Sequence, residues 1–180
     1  VLKLREHDPV IYEKNNVLGG TFIPASAESY KGKLRELLAW YRRQMKELDV
    51  EVHLGKEIDS VEKFGDAPVI IATGSVPRVM KNIPGHERMI EACDYLNGRD
   101  VGERVVVIGG GLTGSEIAYE LALQGKRPVI VEMKNDLVAQ KGVCLANSSY
   151  LREWFELHEV PVYLETKLKE VKEHSVICTD

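Results

Sequence analysis

The sequence predicts an α/β protein built around parallel β-sheet. Three observations predict it. An apolar, β-branched run, Val105-Val106-Val107-Ile108, ends in Gly109, Gly110 and Gly111 and opens onto a helical pattern. A second apolar run, Pro128-Val129-Ile130-Val131, follows that helix and ends in Glu132. Far upstream, Pro9-Val10-Ile11-Tyr12-Glu13-Lys14 has the same layout, again closing on an acid. Two strands joined by a helix make a crossover unit, and its strands must run parallel.

The elements can be justified in chain order. Val1 to Asp8 reads as the tail of a helix, and residues 9–14 as a short strand. Leu18-Gly19-Gly20 is a turn. From Tyr30 to Leu48, Leu34, Leu37, Leu38, Tyr41, Met45 and Leu48 recur at helical spacing. That stripe is expected to face a core, with Arg35, Arg42, Arg43, Lys46 and Glu47 on solvated faces. Val50 to Leu54 alternates as a strand does, with His53 as a polar strand residue, and Lys56 to Val61 suggests another short strand. Pro68-Val69-Ile70-Ile71-Ala72-Thr73-Gly74 reads as a buried strand running into a tight turn. The proline-containing stretch from Ser75 to Gly85 is expected to be an extended connector.

Glu91 to Leu96 is a candidate short helix, and a domain boundary is expected between residues 76 and 103. A strand at 105–108 then leads into a helix from about Leu112, whose apolar face is Ile117, Ala118, Leu121 and Ala122 and whose stop is Gly125. After Glu132, Tyr150 to Leu157 reads as an amphipathic helix and Val160 to Leu164 as a third parallel strand. Thr166 to Val171 and Ser175 to Thr179 read as an antiparallel pair.

Composition excludes several classes. A formal net charge of −4 offers no basic field for nucleic acid or an anionic membrane. No apolar run approaches transmembrane length, and no signal peptide is visible. Cys93, Cys144 and Cys178 lie far apart without a C-x-x-C, which argues against a redox dithiol, an iron–sulfur site or zinc on this chain. Sparse cysteines fit a reducing cytoplasm, and each is expected to be a small buried or half-buried residue. No metal ligands and no acid, base or nucleophile of ordinary catalytic type stand out. Because the chain starts and stops inside patterned elements, it is expected to be a piece of a longer protein.

The glycine stretch carries the chemistry. Gly109, Gly111 and Gly114 stand at G-x-G-x-x-G spacing between a strand and a helix. The first lets the chain turn, the second lets backbone approach a pyrophosphate, and the third lets the helix pack on the strand. The helix opening at Leu112 and Thr113 turns free N–H groups and its positive dipole end toward phosphates. Glu132, closing the next strand, can accept hydrogen bonds from the ribose hydroxyls and repel a 2′-phosphate, which favours NADH over NADPH. Lys134 nearby can shield a phosphate, so that choice stays open. Glu116 reads as a first-turn acid stabilising the helix dipole, or as a cofactor contact. The fold class is thus a Rossmann-like parallel sheet, an incomplete first nucleotide fold plus a second, NAD-binding fold.

The order of these parts resembles a known family. A strand ending in Glu13, Leu18-Gly19-Gly20, a long helix, Ile71-Ala72-Thr73-Gly74-Ser75-Val76-Pro77-Arg78, Ile83-Pro84-Gly85 and a second glycine loop look like the two-dinucleotide-domain flavoproteins of the pyridine nucleotide–disulfide reductase type. Within it, the stretch Glu13 to Gly20 and Val101-Gly102-Glu103-Arg104 before the glycines resemble the C-terminal region of the 2,4-dienoyl-CoA and 2-enoate reductases, a group that includes trimethylamine and histamine dehydrogenases. The resemblance implies an NADH:flavin oxidoreductase. NADH would reduce FAD, and in the parent protein electrons would pass through a 4Fe–4S cluster and FMN, outside this chain, to an activated carbon–carbon double bond.

By the same resemblance, Glu13 and the adjoining Lys14 would hold the adenosine ribose of FAD, or of ADP as in the amine dehydrogenases. Gly19 and Gly20 would line its phosphates. Ala72, Thr73 and Gly74 would turn close to the flavin nucleotide. Gly109, Gly111, Leu112, Thr113, Gly114 and Glu132 would hold NAD(H), with Glu116 near the nicotinamide. Residues 1–98 would be a partial FAD- or ADP-binding domain lacking its first strand and glycine loop, and residues 99–180 the NAD(H)-binding domain. The expected partners are the nucleotides, an N-terminal barrel and the remainder of the FAD domain. The chain alone is expected to be inactive and to bind FAD weakly. Two other readings stay open: a non-catalytic module that senses NAD(H) or ADP, and another flavoprotein reductase such as an NADH oxidase.

Overall fold

The computed structural model describes residues 1–180. They fall into two compact units, Val1–Val76 and Pro77–Asp180. No helix is long and apolar enough to cross a membrane.

The first unit has one parallel pair. Strand β1 (Val10–Glu13) runs beside β2 (Glu51–Leu54), with Tyr12 opposite His53 and Glu13 opposite Leu54. The Tyr12 and His53 rings stack with centroids 4.9 Å apart, and His53 also meets Glu51 at 2.7 Å. The strands are joined through a short helix α1 (Phe22–Ala25) and a long helix α2 (Gly32–Glu47).

Four expectations for this unit are corrected. First, Val1 to Asp8 holds a single 3-10 turn, Lys3–Arg5, with no buried residue to extend it. Second, of the α2 stripe only Leu38 is fully buried; Leu37 and Tyr41 face solvent at 39% and 50% exposure. Two of the basic residues also reach loop backbone, Arg35 while remaining exposed as expected and Arg42 half-buried. Arg35 donates to the carbonyls of Ser26, Ala27, Glu28 and Ser29 at 2.7, 3.3, 2.6 and 3.1 Å, and Arg42 Nε donates to Leu18 O at 2.8 Å. Five fixed N–H groups suit a guanidinium to gathering carbonyls that no helix or sheet serves. Third, Lys56 to Val61 forms no strand; a 3-10 turn, Val61–Phe64, follows it, capped by the Ser60 side chain.

The largest correction concerns Pro68 to Gly74. The run belongs to no sheet, and Ile70 and Ile71 are 75% and 71% exposed. β-Branched residues favour extended backbone, but a strand exists only when a neighbour completes its hydrogen bonds. In this unit the only ladder is β1 with β2.

The second unit opens with a short helix α3 (Ala92–Leu96) and is built on the parallel sheet β3 (Arg104–Ile108), β4 (Arg127–Val131) and β5 (Val162–Tyr163), in that spatial order. Val107 pairs with Ile130, and Ile130 with Val162. Helices α4 (Leu112–Leu123) and α5 (Leu145–Leu157) form the crossovers. Ala118 of α4, Leu151 and Phe155 of α5, Ile130 of β4 and the loop residues Leu137 and Val138 pack as one core against Val107 and Val162. Helix α5 begins five residues before the expected Tyr150.

An aromatic row fastens the two helices. Tyr119 lies edge-on to Trp154 at 4.7 Å, Trp154 stacks on His158 at 3.9 Å, and the Tyr119 and Tyr150 hydroxyls meet at 3.1 Å. An antiparallel hairpin, β6 (Lys167–Val171) and β7 (Val176–Thr179), closes the unit. Its Val171 N–H donates to Pro84 O at 2.9 Å, which ties the hairpin to the Ile-Pro-Gly turn. Of the cysteines, Cys93 and Cys178 are half-buried, and burial pushes the Cys178 thiol up; Cys144, expected to be covered, is exposed just before α5.

Two outcomes follow. Phe155 is 1% exposed at the centre of the core, so Phe155→Ala should lower unfolding free energy by about 3–5 kcal/mol in a urea titration. The Tyr119 phenol is pushed up to about 12, chiefly by its hydrogen bond to Tyr150 and then by burial. The folded state therefore keeps this proton. Its contribution to stability is full below about pH 10 and fades as pH rises through about 12. An ultraviolet titration of phenolate should show one late-ionising tyrosine, moving toward the ordinary value in Tyr150→Phe.

Candidate nucleotide-binding sites

The glycine loop of the second unit is fixed at one residue, Gly110. Ile108 ends β3, and Gly109, at φ +103°, turns the chain while its N–H still bonds Val131 O at 2.8 Å. Gly110 N–H then donates to Glu132 Oε2 at 2.6 Å. Gly110 O accepts from Val138 N–H at 2.7 Å and from the fully buried Ser115 hydroxyl at 3.2 Å. Val138 adopts φ +50°, unusual for a β-branched residue and costly. It is held there by burial and by that bond.

Gly111 is the residue before α4, and no side chain caps the helix. The N–H groups of Leu112, Thr113 and Gly114 have no acceptor within the helix. They form the positive end of the dipole, in the turn that follows β3. A Cβ on Gly114 would drive into the carbonyl oxygen of Gly109, so this close crossing of helix over strand requires glycine. Gln140 lies over Gly111, its Oε1 3.2 Å from where a Cβ would stand.

Glu132 is 7% exposed. One of its oxygens holds Gly110 N–H, and the other accepts Lys134 N–H at 2.8 Å. Each oxygen still has a lone pair for a further donor. The Lys134 side chain is exposed. Glu116 is half-buried and sits one turn further along α4 than expected, since the helix starts at Leu112 and has no acid in its first turn. The carboxylate that serves the loop is therefore Glu132. Beyond the loop, Arg152 pins the 136–137 backbone to α5, through Asp136 at 2.8 Å and Leu137 O at 2.6 Å.

The first unit presents a sparser version of the same geometry. Glu13 ends β1, and its Oε1 accepts both the N–H and the side-chain amide of Asn15 at 2.8 Å. Lys14 is exposed. Gly19 is wedged between Leu38 and Ile23, 2.9 and 3.0 Å from its would-be Cβ, at φ +135°. Gly20 begins the turn into α1. Ala72, Thr73 and Gly74 lie in the exposed segment rather than at the end of a buried strand, and Gly74 comes near the Thr21 hydroxyl. The sequence reading did not single out Gly110, Ser115, Val138 or Gln140 around the second loop. It took Arg35 and Arg42 of the first unit as solvated.

A strand, a glycine turn held by the acid of the next strand, and an uncapped helix N-terminus define a dinucleotide-binding βαβ unit. The family model for pyridine nucleotide-disulphide oxidoreductases matches residues 47–180. The chain belongs to that family. Among curated proteins it is 38% identical over 166 residues to the cinnamate reductase of Clostridium sporogenes, covering 90% of this chain and 25% of that protein. It is 39% identical over 142 residues to the NADH oxidase of Thermoanaerobacter brockii, covering 74% and 22%. Among solved structures, a 2-naphthoyl-CoA reductase complexed with 2-naphthoyl-CoA superposes with a TM-score of 0.85 at 24% identity, over 99% of this chain and 27% of that one. The chain spans about a quarter of the length of these curated relatives. The resemblance to the nucleotide-binding region of the enoate reductase group therefore holds in both sequence and fold.

The close crossing at Gly114 yields a test. Gly114→Ala should push α4 off β3, with a loss of about 1–3 kcal/mol in a denaturation curve. Thr113→Ala, at an exposed position of the same turn, should leave stability within about 0.5 kcal/mol.

Proposed function

We propose that this chain is the dinucleotide-binding part of an NADH-dependent flavoprotein reductase whose whole protein reduces an activated carbon–carbon double bond of the enoate or enoyl-thioester kind. The observation that carries the reading is the Gly110–Glu132 bond at the mouth of an uncapped helix, in a chain 38% identical to a cinnamate reductase. NAD(H) supplies a hydride when bound, and FAD accepts it.

In this reading the N–H groups of Leu112, Thr113 and Gly114 receive the pyrophosphate of NAD(H), in the fold at residues 99–180. Gly109 and Gly111 give it room, Glu132 takes the ribose hydroxyls on its remaining lone pairs, and Glu116 lies on the nicotinamide side. Within residues 1–98, Glu13 and Lys14 hold the adenosine end of FAD, Gly19 and Gly20 its phosphates, and Ala72, Thr73 and Gly74 pass beside it. The residues position and orient the cofactors, which carry the redox chemistry themselves. A second reading, an NADH oxidase, draws on the 39% identity to the Thermoanaerobacter brockii enzyme. It would use the same NADH site and differ in the acceptor.

Calorimetric titration tests the site. NADH should bind more tightly than NADPH, and Glu132→Ala should weaken NADH about tenfold or more while narrowing the gap to NADPH. Equal or tighter NADPH binding by the unaltered protein would overturn the assignment of Glu132. With NADH as donor, reduction of cinnamate supports the first reading, and turnover of dioxygen alone supports the second.

A further inference from the structure

A loop of the second unit carries one polar side chain onto the glycine turn. The chain from Asp136 to Gln140 follows the acid that closes β4, and its backbone is fixed at three points. Arg152 of α5 holds Asp136 at 2.8 Å and Leu137 O at 2.6 Å. Leu137 is buried and packs so closely on Gly110 that no Cβ would fit between them. Val138, buried and at φ +50°, donates its N–H to Gly110 O at 2.7 Å. Two residues on, Gln140 is exposed. Its carboxamide lies over Gly111, with Oε1, Cδ and Nε2 at 3.2, 4.0 and 4.0 Å from where a Cβ of Gly111 would stand.

That point is chemically specific. The second glycine of a G-x-G-x-x-G turn lacks a Cβ so that a pyrophosphate can come close. The group that reaches this space from outside the turn is the Gln140 carboxamide. It carries two N–H donors on Nε2 and an acceptor on Oε1. Its terminal torsion is broad, so either end can face the turn at little cost. A pyrophosphate accepts hydrogen bonds and donates none, so the end that it calls for is Nε2. Strained backbone gathers at ligand clamps, and the left-handed Val138 stands between the pinned part of the loop and Gln140.

We propose that Gln140 is a pyrophosphate-binding residue, whose amide donates to the pyrophosphate of NAD(H) seated on Gly111 and the start of α4. This rests on the reading of that fold as the NAD(H) site.

The test is a calorimetric titration of the full-length protein with NAD⁺ and with ADP-ribose, neither of which can pass a hydride to a flavin. Both carry the pyrophosphate, and only NAD⁺ carries the nicotinamide. Gln140→Ala should weaken both by the same factor, about fivefold to tenfold, as for loss of a partly exposed hydrogen bond to a charged group. Gln140→Glu sets a carboxylate against the phosphates and should weaken both further. Gln140→Lys keeps a donor, adds a positive charge, and should bind at least as tightly as the natural protein. The melting temperature should stay within about 2 °C in all three variants, because the side chain is exposed. Unchanged or tighter binding in Gln140→Ala would overturn the proposal and leave the NAD(H) site standing. A loss for NAD⁺ alone would also overturn it, because it would place Gln140 on the nicotinamide. Equal losses in the Ala, Glu and Lys variants would overturn it as well, because they would mark a disturbed loop rather than a lost donor. Unaltered protein that bound neither ligand would overturn the NAD(H) site itself, and the proposal with it.

Discussion

Gly110 holds the glycine loop of the second unit together through the peptide groups on either side of it. Its N–H is taken by an acid 22 residues later, and its carbonyl by a helix hydroxyl and a loop amide. Those partners belong to the end of β4, to α4 and to the chain leading to α5. The N-terminus of α4 is therefore aimed by a network that closes only when the sheet is paired and both helices are packed. Each bond made in a water-poor setting strengthens its neighbours. This explains how Val138 can be held in a left-handed backbone that an isolated valine would leave.

The first unit solves a similar problem with different material. It has one fully buried large apolar residue on its long helix and only a two-stranded ladder, too little to order its loops by burial. Guanidinium groups do that work instead. Arg42 fixes the carbonyl before the glycine turn, and Arg35 collects four carbonyls from the segment that carries Glu28. Polar stitching of this kind sets orientation more than it adds stability.

Much of the second unit was legible in the sequence, because its signals are local. An apolar run, a glycine spacing and a terminal acid each lie within a few residues, and the strands, the α4 start and the Gly125 stop fall where periodicity puts them. The less legible parts depend on partners distant in sequence. Ser115 and Val138 look like ordinary helix and loop residues until the loop folds against them. Arg35 and Arg42 look solvated on a helical wheel, yet their long stems carry the charge back to the loop. Val69 to Ile71 has strand composition, but composition cannot supply the neighbouring strand. Glu116 lies past the first turn of a helix that begins at Leu112, where the pattern puts it, so it is not the first-turn acid that the sequence suggested.

That last β-branched stretch shapes how the chain behaves among other chains. Val69, Ile70 and Ile71 stand in water with no ladder beside them. An uncharged, proline-free trio of this sort is a template for pairing in trans. Asp66, Pro68 and Pro77 flank it, and charge and proline are the usual brakes on strand growth. The stretch is thus an adhesive edge fenced at both ends, and the colloidal behaviour of this polypeptide depends on whether something covers it.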